Sequence, residues 1–151
     1  MHKAKTEKRK AKIKTATRTR SKDDSMGRLR QEFLERVEAF SHEVLDLVVQ
    51  LEAKHISRRI VDQVAASGTS VGANVFEADE AMSRKDFVKS LSIVAKELSE
   101  TRYWLRLAAS RSWVAAETGR HALSEAAELR SILGTMIKRS KQPAAHRRQE
   151  E

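Results

Sequence analysis

The chain has 151 residues, enough for one domain of ordinary size plus a tail, and it carries 30 Lys and Arg against 21 Asp and Glu, a net charge of +9. Its 40% hydrophobic residues can bury a core, whereas 5% aromatic residues, five Gly and one Pro leave too few strand and turn formers for an all-β fold. Without Cys it has no disulfide scaffold, thiolate zinc site or cysteine nucleophile, and no apolar run approaches the ~18 residues of a membrane-spanning helix.

The positive charge is concentrated at the start. Residues 1–22 hold ten Lys or Arg and one acid, Glu7, so the whole +9 lies there. Ile13 is the one large aliphatic residue after Met1, so burial cannot offset chain entropy, and residues 1–24 are expected to form a disordered basic tail. No apolar stretch of ~7–15 residues follows the charges, which excludes a secretory signal. Lys8, Arg9, Lys10, Lys12, Lys14, Arg18 and Arg20 are candidates for nucleic-acid phosphate contacts, because each neutralised phosphate releases counterions. A solubilising tail with no fixed partner has the same composition. Residues 23–137 hold 15 basic and 18 acidic residues, and a second basic cluster (Lys138, Arg139, Lys141, Arg147, Arg148) follows.

Between the ends the spacing of apolar residues predicts four helices, in a domain spanning residues 25–140. From Gly27 to Leu51, Phe33, Val37, Phe40, Val44, Leu47 and Leu51 recur at alternating steps of four and three, with Ser25 placed to cap the start. After a break around Lys54 to Ser57, a second stripe runs through Ile60, Val64, Ser67, Val71, Val75, Ala78 and Met82. Ser83 and Asp86 form a Ser-x-x-Asp capping pattern before the third stripe, which is Phe87, Leu91, Val94, Leu98, Thr101, Leu105 and Ala108. The fourth runs from about Trp113 or Thr118 to Arg139, with Ala122, Ala126, Leu129, Leu133 and Met136 inward and Pro143 beyond its end. Short connections between helices of this length give an all-α, antiparallel up-down-up-down four-helix bundle, followed by a disordered polar C-terminal tail over residues 141–151.

A four-helix bundle raises the question of a di-metal carboxylate site, which needs Glu-x-x-His on two helices. Only Glu52-Ala53-Lys54-His55 has that spacing, and it falls at a helix boundary. His42-Glu43-Val44-Leu45-Asp46 carries Asp where a zinc-protease helix requires a second His, and Glu117 with His121 reads as an exposed helical pair. No phosphate loop or nucleophile elbow occurs. No catalytic residue, metal or cofactor is expected.

Two segments stand out. In the second helix Gly68 and Gly72 each cost about 1 kcal/mol relative to Ala, which a close helix approach offsets. Ser67, Ser70, Asn74 and Glu77 fall on the opposite flank, where polar side chains beside an apolar seam set register. In the third helix Lys85, Lys89, Lys96 and Tyr103 form an outward stripe suited to a phosphate backbone with a stacking ring, and equally ordinary as a solvated face. Glu97 and Trp104 lie on one shoulder and Arg102 and Arg106 on the other, as candidates for a subunit interface.

The stretch Ser67-Gly68-Thr69-Ser70-Val71-Gly72-Ala73-Asn74, followed by Glu77, Ser83, Asp86-Phe87, Leu91-Ser92-Ile93, Lys96-Glu97 and Glu100-Thr101-Arg102-Tyr103-Trp104-Leu105, resembles the bacterial four helix bundle protein family. That family includes proteins encoded by intervening sequences in 23S ribosomal RNA genes. It is similar in fold to the accessory variability determinant of diversity-generating retroelements. The resemblance covers roughly residues 28 to 139. It implies a homopentameric ring of bundles in a bacterial cytoplasm and, for the retroelement protein, a basic surface for nucleic acid and a reverse transcriptase partner. Where the family usually has Arg before the Ser-Gly-Thr-Ser run, this chain has Ala66. The expected function is that of a non-enzymatic, oligomeric bundle binding RNA or DNA without sequence preference through basic termini and surface Lys and Arg. The alternative is a scaffold for a protein partner, such as a reverse transcriptase, without nucleic-acid activity of its own.

Overall fold

The computed structural model describes residues 29–143. The candidates Lys8, Arg9, Lys10, Lys12, Lys14, Arg18 and Arg20, the Ser25 cap, and the N-terminal tail with nearly all of the C-terminal one lie outside the described residues. Four helices follow one another: α1 (Gln31–Ala53), α2 (Arg58–Asp79), α3 (Arg84–Ser110) and α4 (Ala116–Lys141). Each buries one stripe. Phe33, Val37, Phe40, Val44, Leu47 and Leu51 of α1 meet Val64, Val71, Val75 and Ala78 of α2, Leu91, Val94, Leu98 and Leu105 of α3, and Ala122, Ala126, Leu129 and Leu133 of α4 in one core. Loops of four, four and five residues turn each helix back on the last, giving an all-α antiparallel four-helix bundle. Among the described residues no helix is long and apolar enough to cross a membrane.

The helix ends follow from local chemistry. The Ser83 hydroxyl accepts from the Asp86 amide at 3.1 Å, capping the start of α3, and donates to the Asp86 carboxylate. α1 and α4 start without a side-chain cap, at Arg30 and Ala115, but the Ala115 amide donates to Gln50 Oε1 at 2.9 Å. α1 and α3 end in Schellman turns. Ile56 N–H reaches Leu51 O and His55 N–H reaches Glu52 O, while Trp113 N–H reaches Ala108 O and Ser112 N–H reaches Ala109 O. His55 and Ser112 are therefore left-handed, with φ of 54° and 55°, at positions where glycine is the unstrained residue.

Three expectations change at the stripe ends. Met82 is fully exposed, because α2 stops at Asp79 and the residue falls in the following loop. Val61 takes the buried position near Ile60, which is half-buried. Phe87 and Met136 are half-buried as well, because they line an opening between α1 and α4.

That opening reflects the weakest of the four lateral contacts in the ring of helices, α1 against α4. Ion pairs span this seam. Arg36 donates to Glu125 at 2.6 and 2.8 Å and also to Glu128, and Glu43 Oε1 lies 2.6 Å from His121 Nδ1. His121 thus partners α1 across the bundle rather than Glu117 along its own helix. Hydrogen bonding to Glu43 raises the His121 pKa, and hydrogen bonding from Arg36 lowers that of Glu125. Beyond Arg36 the two helices enclose a groove of about 840 Å³.

Candidate nucleic-acid interface

Which flank of each helix faces which neighbour decides where the surface charge goes. Ser41 of α1 sits against Gly72, so this flank of α1 faces α2. A Cβ on Gly119 would lie 3.5 Å from Ala109 Cβ, so the flank of α3 bearing Ala109 faces α4. Ala95 and Arg102 repeat that position at heptad spacing. On α4, Glu125 and Glu128 turn to α1 through Arg36, which leaves Leu123, Arg130, Gly134 and Ile137 on the α3 side.

Along the outer surface of α3 and α4 the cations then form two rows. On α3, Arg102 and Arg106 lie on the α4-facing flank and Lys85, Lys89 and Lys96 on the outward face, and on α4 Arg120, Arg130, Lys138 and Lys141 lie on the α3-facing flank. Arg102 and Arg130 are half-buried between the helices and the others are exposed. No acid lies between the outward lysines of α3 and the cations of α4, although Glu100 stands one turn from Lys96 on the far edge of the stripe. The acids of α3 (Asp86, Glu97, Glu100) fall on its α2-facing side, Glu125 and Glu128 face α1, and Glu117 is confined to the first turn of α4. Between the rows lie small or hydroxyl residues, including Ala95, Ser99, Ala127 and Gly134, together with the half-buried Leu123 and Ile137. The Nε–H of Arg102 is buried and has no hydrogen-bond partner among the described residues.

The rows run from Lys85 to Arg106, ~32 Å at 1.5 Å per residue, with axes ~8–10 Å apart. The acidic residues collect on the other side of the bundle. Glu32, Glu35, Glu38, Asp46 and Glu52 on α1 and Asp62, Glu77 and Glu80 on and after α2 are all exposed. A body that is nearly neutral in sum, with 17 basic and 16 acidic residues over 29–143, is polarised across its width. Its basic side also includes the end of the bundle where the chain enters at Leu29, just after the +9 segment.

Of the other residues singled out, Tyr103 is 59% exposed on the α3 stripe and packs edge-on against Trp104 at 5.0 Å between ring centroids. Trp104 and Glu97 are half-buried on the α2-facing shoulder, and Trp104 Nε1 donates to Glu100 at 3.3 Å. Arg106 belongs to the basic row. In α2, Gly68 and Gly72 face α1, where added Cβ atoms would stand 2.4 Å from Val44 Cγ1 and 2.7 Å from Ser41 Oγ. Ser67 is buried and bonds the Val64 carbonyl, Ser70 is half-buried, and Asn74 donates to the Ser70 carbonyl at 2.8 Å. These hydrogen bonds stay within α2 and do not reach a facing helix. Glu77 is exposed and takes no part in packing, since the ~100° step per residue carries it past the seam. Arg130, Lys138 and Lys141 were not legible as partners of the α3 stripe, because one helix's periodicity does not reveal its neighbour. Among the described residues no group of three or more His, Asp or Glu is placed to hold a metal ion.

The family model for 23S rRNA-intervening sequence proteins matches residues 30–135. Among solved structures, a protein of unknown function from the S23 ribosomal protein family of Bacteroides thetaiotaomicron VPI-5482 is 31% identical, with a TM-score of 0.66. The similarity covers 70% of this chain and 98% of that one. No curated protein sequence matches.

Proposed function

The chain belongs to the 23S rRNA-intervening sequence protein family, and from that premise we propose that it is a non-catalytic bundle that binds RNA or DNA backbone along its α3/α4 face. The observation that carries this reading is the pair of cation rows with no acid between them. Lys and Arg neutralise phosphates, the small residues between the rows let a strand approach, and Tyr103 beside the track offers a ring for base stacking. The +9 segment ahead of Leu29 extends the same field and adds sequence-independent affinity. Assembly into a ring of copies is part of the proposal; a monomer by light scattering at micromolar concentration would remove that part.

The test measures affinity for an unstructured RNA and for an RNA duplex at several salt concentrations. A triple variant, Lys89→Glu, Lys96→Glu and Lys138→Glu, is expected to weaken binding to every sequence and to flatten the log–log salt slope by about 0.7–0.9 per lost phosphate contact. Deleting residues 1–22 should lower affinity further in that background. Unchanged affinity and slope in the triple variant would remove the α3/α4 face from the reading.

A further inference from the structure

We propose that the groove between α1 and α4 is a docking site for an amphipathic helix of a partner protein with acidic residues flanking its apolar face. This interaction is independent of the nucleic-acid face. The groove opens where the seam loses its cross-links, beyond Arg36, and its floor is apolar: Leu29 just ahead of α1, Phe33 from α1, Phe87 from α3, and Ile132 and Met136 from α4. Its mouth is basic, with Arg30 on one side and Arg139 on the other, while Arg36 at the inner end is engaged by Glu125 and Glu128. Glu32 is the one acid in the lining.

The dimensions match a short helix. From Ile132 to Arg139 the wall extends ~10 Å, the length over which apolar residues at i, i+3 and i+7 line one face. An incoming helix would complete the side of the bundle that α1 and α4 leave open, covering Met136 and Phe87. Charge complementarity selects its flanks, because Arg30 and Arg139 face whatever borders the apolar stripe. Neither residues 1–22 nor residues 144–151 fit. Residues 1–22 carry the +9, which the rim repels, and residues 144–151 (Ala-Ala-His-Arg-Arg-Gln-Glu-Glu) have no large apolar side chain.

The experiment uses the full chain, free of nucleic acid, and two fluorescent amphipathic peptides of identical leucine pattern, one flanked by Glu and one by Lys. The Glu peptide is expected to bind about tenfold tighter or better by anisotropy. Arg139→Glu, at an exposed site that does not bear on folding, should reverse the order. Met136→Glu should abolish binding of both peptides with helicity unchanged, and Lys89→Glu on the α3/α4 face should leave the preference as it is. Equal binding, no binding, or a preference that Arg139→Glu leaves intact overturns the proposal. So does loss of the preference in Lys89→Glu, which would assign the attraction to the basic face. If the peptides fail to bind and Met136→Glu dissociates self-associated chains, the occupant is a second copy and the proposal falls.

Discussion

Gly68→Ala offers the most direct measure of how closely α2 must approach α1. The added Cβ would stand 2.4 Å from Val44 Cγ1 and 2.9 Å from Val44 Cβ. Val44 is fully buried and β-branched, so its rotamer is fixed in the helix and it has nowhere to swing. Overpacking of this kind costs ~1–3 kcal/mol, while Ala in place of Gly returns ~1 kcal/mol of helix propensity. The net expectation is a loss of up to about 2 kcal/mol. Two other glycines serve as internal controls. At Gly72 the clash is with Ser41 Oγ, which can rotate away from hydrogen bonds of 3.3 and 3.4 Å, so Gly72→Ala should be near neutral. At Gly134 the nearest atom is the Arg130 guanidinium at 3.6 Å, an ordinary contact, so Gly134→Ala should stabilise by about 1 kcal/mol. Urea unfolding followed by helical circular dichroism ranks the three. Val44→Ala in the Gly68→Ala background should recover stability relative to the sum of the single changes, a coupling of about 1 kcal/mol. If Gly68→Ala proves as stable as Gly134→Ala, the close-approach account of the glycine is wrong.

Other outcomes follow from the ends and the seam. His55→Gly and Ser112→Gly relieve left-handed backbone and should each raise stability by about 0.5–1 kcal/mol in the same assay; a loss at both would argue against the Schellman geometry. The pKa of His121 is raised above 6.5 by Glu43, so its contribution is complete below that pH and lost as pH rises through the raised value. His121→Gln should therefore be less stable than the parent near pH 5 and equal to it near pH 9, within the small range of an exposed pair. Glu125 behaves oppositely. Arg36 holds its pKa below 4.5, so its contribution is present above that value and disappears as pH falls through the lowered one. Glu125→Gln should be destabilised at neutral pH and converge with the parent near pH 2, read as unfolding midpoint against pH; no convergence would mean that Arg36 is not the cause.

The helices were legible because burial acts at a period that a single strand of text reveals. Phe33 to Leu51 and Leu91 to Ala108 keep their spacing in the core, and the Ser83–Asp86 cap forms as written. Less legible were features that depend on a second element. Met82 continues the α2 stripe by arithmetic, but the chain has already left the helix, because the Ser83 cap needs a loop before it. His121 and Glu117 have helical spacing, yet Glu43 from α1 offers the nearer partner. Asn74 sits beside the seam, but its own helix presents the Ser70 carbonyl one turn back, and a local bond of 2.8 Å costs less side-chain entropy than one reaching across.

Charge was the least legible property, for a geometric reason. Counting residues 23–137 gives 15 basic and 18 acidic, which suggests a body without a field of its own. The count averages over faces that never see the same ligand. A phosphate on α3/α4 lies one to two helix diameters, ~10–20 Å, from the acids of α1, and the Debye length at physiological salt is ~8 Å. Those acids are therefore screened from it, whereas Lys89, Lys96 and Lys138 are adjacent to it. The face behaves as a basic surface although the body is close to neutral in sum. Raising ionic strength should weaken its grip through counterion competition, without the compensating relief from acidic repulsion that a uniformly mixed surface would give. Lowering salt to about 10 mM, where the Debye length reaches ~30 Å, brings the α1 acids back into range. Charge reversal at Glu35 and Glu38 should then strengthen nucleic-acid binding at low salt and leave it unchanged at physiological salt, whereas reversal at Lys89 and Lys96 weakens it under both conditions. An equal effect of the Glu35 and Glu38 changes at both salts would mean that net charge, not its partition between faces, controls association.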